Sequence, residues 1–310
     1  MPPSSSATIP DLNFGLAGVL RTLERAGLGV TPIAVAMRQG RWLARLPDGR
    51  MAWFPRNPAG RTVLRRERRI LRLIEARCAF AAPRAIREYP GGWELREPVR
   101  GVTDPTALYH RLQADRALAA RLGGEIGAVL ADQHSHVTAA DVEGWMPTVV
   151  GWPMPDAWLW RRLPGVARDG RLLTRMRAAL KAHRGPGAPP PDRVLVHGDL
   201  GLHNIAIDPA TGGLAGVFDY GGAAFADRHE DFRYLLFDVG DETMLDAALA
   251  VYQPATGVTL DRSRIRLANA ACAIGFLAFR DGHGPDEPWC GRTLAQDLAW
   301  TELALTRAGF

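Results

Sequence analysis

Lysine is almost missing from this 310-residue chain: Lys181 is the only one, and the remaining basic side chains are arginine or histidine. The GxxxxGK[ST] phosphate loop is therefore excluded, because Lys181 is followed by Ala182. Cysteine is scarce too. Cys78, Cys272 and Cys290 are odd in number, widely spaced and form no CxxC, which argues against a disulfide framework or zinc site and suits a reducing cytoplasm. GxSxG, GxGxxG and HExxH do not occur, which disfavours an elbow-type serine hydrolase, a Rossmann dinucleotide enzyme and a zincin. Long apolar runs are also missing. Leu267 to Phe279 is the longest, contains Asn269 and is too short to span a bilayer, so it reads as a core helix and no membrane is expected. The opening MPPSSSATIP has neither the basic nor the apolar region of a signal peptide and reads as a flexible tail.

Hydrophobic residues make up 47% of the chain and charged residues 23%, a globular composition, and the length suits about two domains or lobes. The net charge of +5 is carried by arginine. No nucleic-acid-binding motif accompanies it, so nucleic acid is not an expected partner, although the excess could attract a small polyanion. No internal repeat occurs, and the oligomeric state is not legible.

The most informative stretch runs from Val194 to Asp231. The apolar Val194-Leu195-Val196 leads into His197-Gly198-Asp199. Ile205 to Ile207 and Leu214 to Phe218, joined by the turn residues of Asp208 to Gly213, read as a β-hairpin. Asn204 begins that hairpin and Asp219 ends it, so the two should lie side by side, with Asp199 close by in the preceding loop. A carboxamide and two carboxylates at one mouth are oxygen ligands of the kind that suits Mg²⁺, which completes its shell with waters and phosphates. His197 reads as a buried residue bracing the loop, and His203 has no assigned role.

His-x-Asp-x-x-x-x-Asn followed by Asp219-Tyr220-Gly221 resembles the kinase catalytic loop and metal-binding triplet. Protein kinases usually carry a lysine where this chain has Gly201, and His-Gly-Asp-Leu-Gly-x-x-Asn looks instead like the aminoglycoside phosphotransferase family, the small-molecule branch of the kinase-like superfamily. Asp227-x-x-x-Asp231 is similar to that family's Gly-Asp-Pro-x-x-Asp, with Arg228 in place of proline. The resemblance is specific over residues 194–235 and looser elsewhere.

It implies an α+β, bilobal protein-kinase-like fold. An antiparallel sheet with one long helix (residues 1–98) would form the nucleotide-binding lobe. A mainly helical lobe (residues 99–310) would carry the catalytic loop and the acceptor site. ATP or GTP with Mg²⁺ would occupy the cleft, and the partner would be a small molecule bearing a hydroxyl. Asp199 would be the catalytic base, Asn204 and Asp219 the metal ligands, and His197, Asp227 and Asp231 the supports of the loop. The segment Arg96 to Gly101 resembles the hinge, where the backbone of Glu97 and Val99 would hold the base edge. Arg38-Gln39-Gly40 stands where relatives cover the nucleotide with a loop.

Elsewhere, helices are predicted over Asp11 to Ala26, Arg61 to Ala76, Asp104 to His110, Asp115 to His134, Leu172 to His183, Phe232 to Phe237, Glu242 to Tyr252, Asp261 to Phe279 and Thr293 to Ala308. Strands are predicted over Thr31 to Val35, Arg41 to Leu46, Met51 to Phe54, Ala82 to Ile86 and Trp93 to Glu97, with Asp48-Gly49 as a hairpin turn. By the resemblance, Glu67 would be the helix glutamate that pairs with a phosphate-gripping strand lysine. Relatives often read apolar-Lys/Arg-apolar-Pro at that strand; here it is Ala52-Trp53-Phe54-Pro55. Three readings follow. Arg56, Arg38 or Arg41 takes over the pairing; or the nucleotide sits differently and Trp53 packs; or phosphoryl transfer is lost and the chain only binds a ligand. Trp145 to Arg162 holds four tryptophans and three prolines, and reads equally as an aromatic acceptor wall or a core plug. Asp238, Asp241 and Glu242 fall where relatives place acceptor-binding groups.

Overall fold

The computed structural model describes residues 15–28, 34–38, 41–185, 191–237, 241–289 and 292–310. The expected tail over residues 1–10, the first turn of the expected opening helix (11–14), Thr31 to Ile33, Gln39, Gly40, Asp238 and Cys290 lie outside the described residues, as does the side chain of Arg38. The chain divides into two compact units, Met1–Ala76 with Ala81–Val99, and Arg77–Phe80 with Arg100–Phe310.

The first unit runs α1 (Leu16–Arg25), β1 (Ala34–Arg38), β2 (Arg41–Arg45), β3 (Met51–Pro55), α2 (Pro58–Arg77), β4 (Arg84–Glu88) and β5 (Glu94–Glu97). The strands form one antiparallel sheet in the order β1-β2-β3-β5-β4. Side chains alternate across a strand, so each strand has two different faces. On one, Ala44, Ala52, Phe54 and Leu95 join Trp93 and pack with Val19 and Leu23 of α1 as an apolar core. On the other, Arg41, Trp53, Glu94 and Arg96 meet the charged side of α2, where Glu67 and Arg68 are also buried. Helix α2 starts a turn earlier than its apolar periodicity suggests. Asn57 Oδ1 accepts from Gly60 N at 2.7 Å, and Pro58 occupies the first helical position, where no donor is needed.

The second unit contains α3 (Pro105–Ala114), α4 (Arg116–His136), α5 (Ala139–Val142), α6 (Asp156–Val166), α7 (Gly170–Arg184), β6 (Arg193–Val196), β7 (Ile205–Ile207), β8 (Leu214–Val217), β9 (Ala224–Asp227), α8 (Tyr234–Phe237), α9 (Thr243–Thr256), α10 (Arg262–Phe279) and α11 (Leu294–Arg307). Asp104 and Asp115 cap α3 and α4 by accepting from Ala107 N (3.0 Å) and Leu118 N (2.9 Å). Helix α4 lies close against α9 because Gly123 and Gly127 carry no side chain: a Cβ at either would stand 2.4 Å from the carbonyl oxygen of Met244 or Ala248. A second core gathers α6, α7, α10 and α11 around Ala270, Ala271, Ile274 and Leu277. The tryptophan-rich segment belongs to it. Trp152, Met154, Trp158 and Trp160 pack on that core, and part of the segment forms α6. The sequence hides this helix because Pro153 and Pro155 precede it and Pro164 interrupts its pattern. Among the described residues, no helix is long and apolar enough to cross a membrane.

Candidate active site

Two small ladders hold the site. Buried β6 pairs with β9, and β7 pairs with β8. Beyond β6 the chain turns sharply at Gly198, whose φ is 77° and where a Cβ would lie 2.7 Å from Gly222 O. Fully buried Asp231 accepts from both His197 N and Gly198 N, each at 2.8 Å. The same carboxylate meets His134 Nε2 at 3.2 Å, His134 Nδ1 lies 2.9 Å from Tyr252 Oη, and Arg228 donates to that hydroxyl at 2.9 Å. On the other side Arg233 donates to Gly198 O at 2.5 Å and is held by Glu230 at 2.5 Å, which also meets His183 at 2.8 Å. Both amides and the carbonyl at the turn are thus fixed from within the protein.

His197 ties this loop to the hairpin. Its Nδ1 accepts from Asp199 N at 3.3 Å, and its Nε2 meets Phe218 O at 3.0 Å. A carbonyl only accepts, so Nε2 carries a proton toward Phe218 O. Phe218 N in turn donates to Asn204 O at 2.9 Å, which brings the Asn204 and Asp219 ends of the hairpin together.

Asp199 is the best-oriented group of the site. Tyr234 Oη donates to its Oδ1 at 2.5 Å, Asn204 Nδ2 donates to its Oδ2 at 3.1 Å, and His203 Nε2 lies 3.3 Å from Oδ2. Burial works against its ionisation, but the hydrogen bond and charge of His203, together with Tyr234 and His197, outweigh it and hold the carboxyl at about 2. The side chain remains 37% exposed, so this fixed carboxylate still faces solvent.

Asn204 Nδ2 also donates to Asp199 O at 2.8 Å, which leaves Oδ1 as the amide atom available to a cation. Asp219 is the sole non-glycine residue with positive φ among the described residues, at 65°. Asp tolerates this left-handed conformation better than most residues, though it still costs about 1–2 kcal/mol. One amide oxygen and one carboxylate fit a hard cation such as Mg²⁺. Among the described residues no group of three or more His, Cys, Asp or Glu side chains could hold a metal, so such an ion would take the rest of its shell from phosphate and water.

In the first unit, Glu67 receives Arg96 Nη2 at 2.9 Å and Arg41 Nη1 at 3.3 Å, both on Oε2. Arg96 also donates to Glu94 at 2.5 Å, and Arg68 joins Glu94 (2.6 Å) to Glu88 (2.8 Å). The guanidinium carbons of Arg41 and Arg96 lie 4.5 and 4.7 Å from the Trp53 ring centroid.

Two expectations need correction. Arg56 does not pair with Glu67; it is exposed and donates to Met37 Sδ at 2.9 Å. It follows β3, whereas Arg41 and Arg96 flank Trp53 on the face turned to α2. Asp227 does not brace the loop. Antiparallel pairing sets it opposite Arg193, at the far end of β6 from His197, where it pairs with His229 and Arg264. Glu97 ends β5 with its side chain on Arg84, and Val99 is the last residue of the first unit. Asp241 and Glu242 engage arginines of their own unit: Asp241 meets Arg116, and Glu242 holds Arg262 and Arg266.

Sequence reasoning missed Tyr234, Arg233, Glu230 and Tyr252. The Glu230-x-x-Arg233 spacing is a helical ion-pair signal that could have been read. The hydroxyl of Tyr234 reaches Asp199 from 35 residues away and leaves no local trace.

The profile of the phosphotransferase enzyme family (APH) matches residues 30–267. Streptomycin 3''-kinase of Streptomyces griseus is 35% identical over 99 residues, which is 31% of this chain and 36% of that protein. The alignment therefore covers only about a third of that curated relative. The GDP complex of a mutant aminoglycoside 2'-phosphotransferase-IIIa matches with a TM-score of 0.66 at 16% identity, over 95% of this chain and 96% of that one. A macrolide 2'-phosphotransferase from Brachybacterium faecium matches with a TM-score of 0.61 at 20% identity, over 94% and 97% of the two chains. At these identities the structural matches speak for the fold, which is α+β and kinase-like.

Proposed function

Because the chain belongs to the phosphotransferase enzyme family known as APH, we infer that it moves the γ-phosphate of ATP or GTP, with Mg²⁺, to a hydroxyl of a small molecule. The observation that carries this reading is the Asp199 carboxylate held by Tyr234 and Asn204 beside an amide oxygen suited to a cation. Asp199 orients the acceptor hydroxyl. With its carboxyl held at about 2 it is a weak base, so it takes the proton late, as the oxygen–phosphorus bond forms. Asn204 Oδ1 and Asp219 would hold the metal, which supplies charge neutralisation to the phosphates. Glu67 positions the cations of the nucleotide site, and the backbone of Glu97 and Val99 holds the base edge. The free Cys78 and Cys272 suit the reducing cytoplasm.

The acceptor class is open, and aminoglycosides and macrolides come first because they appear in the names of similar proteins. The test is ADP or GDP release over a panel of hydroxylated metabolites and antibiotics, with wild type and Asp199→Ala. Wild type should turn over at least one acceptor. Asp199→Ala should lose about a thousandfold or more in kcat while keeping its far-UV spectrum and melting temperature. Full transfer by the variant would refute the assignment. The rival reading, a nucleotide-binding protein without transfer, is motivated by Trp53 at the lysine position. Magnesium-dependent nucleotide binding with no turnover on any acceptor would favour it.

A further inference from the structure

Asp199 is held from the protein side by Tyr234 Oη at 2.5 Å and Asn204 Nδ2 at 3.1 Å, both from residues that are themselves buried. Its third contact is of another kind. His203 Nε2 lies 3.3 Å from Oδ2, and the two side chains are exposed to nearly the same degree, 39% and 37%. An ionised carboxylate oxygen only accepts, so Nε2 carries a proton and is a donor. A donor and an acceptor thus stand side by side on the solvent edge of the catalytic loop, in contact at the long end of hydrogen-bond length.

The imidazole is exposed, yet its place is fixed. Residue 201 is glycine, and a Cβ there would stand 2.7 Å from His203 Cε1, 2.8 Å from Nδ1 and 2.9 Å from Tyr234 Cδ1. The His203 ring therefore lies over bare backbone at Gly201. It meets the Tyr234 ring edge-on, with centroids 5.7 Å apart and planes at 68°. The hydroxyl of Tyr234 also holds Asp199, so one buried ring sets both members of the pair. Leu202 and Asn204, the neighbours of His203 in the chain, are buried and anchor the turn that carries it.

The geometry of this pair sets what fits it. A single oxygen inserted between Nε2 and Oδ2 would meet both at sharp angles, where hydrogen bonds weaken steeply. Two oxygens on neighbouring carbons lie about one hydrogen-bond length apart and meet the donor and the acceptor head-on. We propose that His203 is a specificity-determining residue and that the acceptor is a vicinal diol: the hydroxyl that receives phosphate donates to Asp199, and the oxygen beside it accepts from His203 Nε2. The oxygen–phosphorus bond forms at the first hydroxyl as the bond from the γ-phosphorus to the nucleotide breaks, the nucleoside diphosphate leaves, and the proton passes to Asp199. Binding of the diol replaces one long internal contact with two bonds to the ligand. An ammonium in the neighbouring position sets a donor against a donor and is rejected. This rests on the phosphotransferase reading above and deepens it by naming the chemical class of the acceptor.

Glucosides, inositols and glycosylated antibiotics are tested in matched sets: the parent diol, the analogue with the neighbouring hydroxyl replaced by hydrogen, and the analogue with it replaced by an amine. Nucleoside diphosphate release gives kcat/KM, and calorimetry on the full chain gives acceptor binding whether or not phosphate moves. The proteins are wild type, His203→Ala and His203→Gln, each checked for its melting temperature. Wild type should prefer the diol to both analogues by about tenfold. His203→Ala should bring that ratio to within about twofold of unity, and His203→Gln, which keeps a donor, should retain part of it. The proposal is overturned if folded His203→Ala keeps the wild-type ratio, or if wild type takes the deoxy or amino analogue as readily as the diol. A calorimetric preference for a diol that depends on His203, with no transfer to any compound, would sink the transferase reading and leave this one standing.

Discussion

Replacing Asp231 with asparagine separates the support of the catalytic loop from its chemistry. The carboxylate is buried, accepts two backbone N–H groups at 2.8 Å and meets His134 Nε2 at 3.2 Å. Asparagine keeps one acceptor oxygen. Its NH₂ must then face either the Gly198 N–H or the His197 N–H, donor against donor. One charge-assisted bond is lost, and a buried N–H is left without an acceptor. Such losses cost about 2–4 kcal/mol together. Urea unfolding should therefore show a lower midpoint with an unchanged slope. The released amide lies within two residues of Asp199, so the carboxylate proposed to orient the acceptor should shift as well. Displacements of about 1 Å cost roughly a hundredfold in rate. We expect kcat to fall far more than nucleotide affinity, because Asp231 is buried behind the loop and presents no surface to a ligand. Stability within about 0.5 kcal/mol of wild type together with unchanged kcat would show that the two N–H bonds are not what holds the loop.

Two further outcomes follow from other parts of the second unit. Glu230 is disfavoured as an anion by burial, but His183 and Arg233 outweigh that and lower its carboxyl from 4.5 to about 2. A depressed folded-state value stabilises above the unfolded value and is lost as pH falls through the folded one. The contribution, about 3 kcal/mol, should therefore be complete above pH 4.5 and fade toward pH 2. Glu230→Gln should lower the melting temperature at pH 7 and flatten its dependence on pH below 4.5, and an unaltered acid slope would contradict this account. Gly127→Ala places a methyl group 2.4 Å from Ala248 O, so α4 and α9 must separate. A destabilisation of about 1–3 kcal/mol in urea titration is expected, and a neutral result would mean that the crossing is looser than drawn.

The site was legible in the sequence wherever its partners are close along the chain. Asp199, Asn204 and the two ends of the hairpin are joined by a short loop and a Pro/Gly turn, so local rules bring them together. Glu67 was singled out by the family resemblance, and its partners Arg96 and Arg41 come from two different strands. Other residues whose partners are set by topology were not legible. His134 meets Asp231 across 97 residues, and β9 returns to β6 past a complete hairpin. Asp227 was misplaced for that reason: four residues before Asp231 suggests a shared task, but the strand carries it to the opposite end of β6.

Arg56 failed in the same way, and its failure shows what the tryptophan does. Arg56 is near Trp53 in sequence, but a residue beyond a strand end has no obligation to the face that the strand presents. Arg41 and Arg96 are distant in sequence, yet strand register puts them on either side of Trp53 and opposite α2. Read alone, Trp53 marks the loss of a cation. Within the sheet the indole is the surface on which two guanidiniums lie while they share Glu67. A lysine at this position would place a third cation between those two, where only Glu67 and Glu94 are buried to meet it. The arginines and the tryptophan are therefore mutually dependent, and no single one of them could revert to the common pattern without the others changing too.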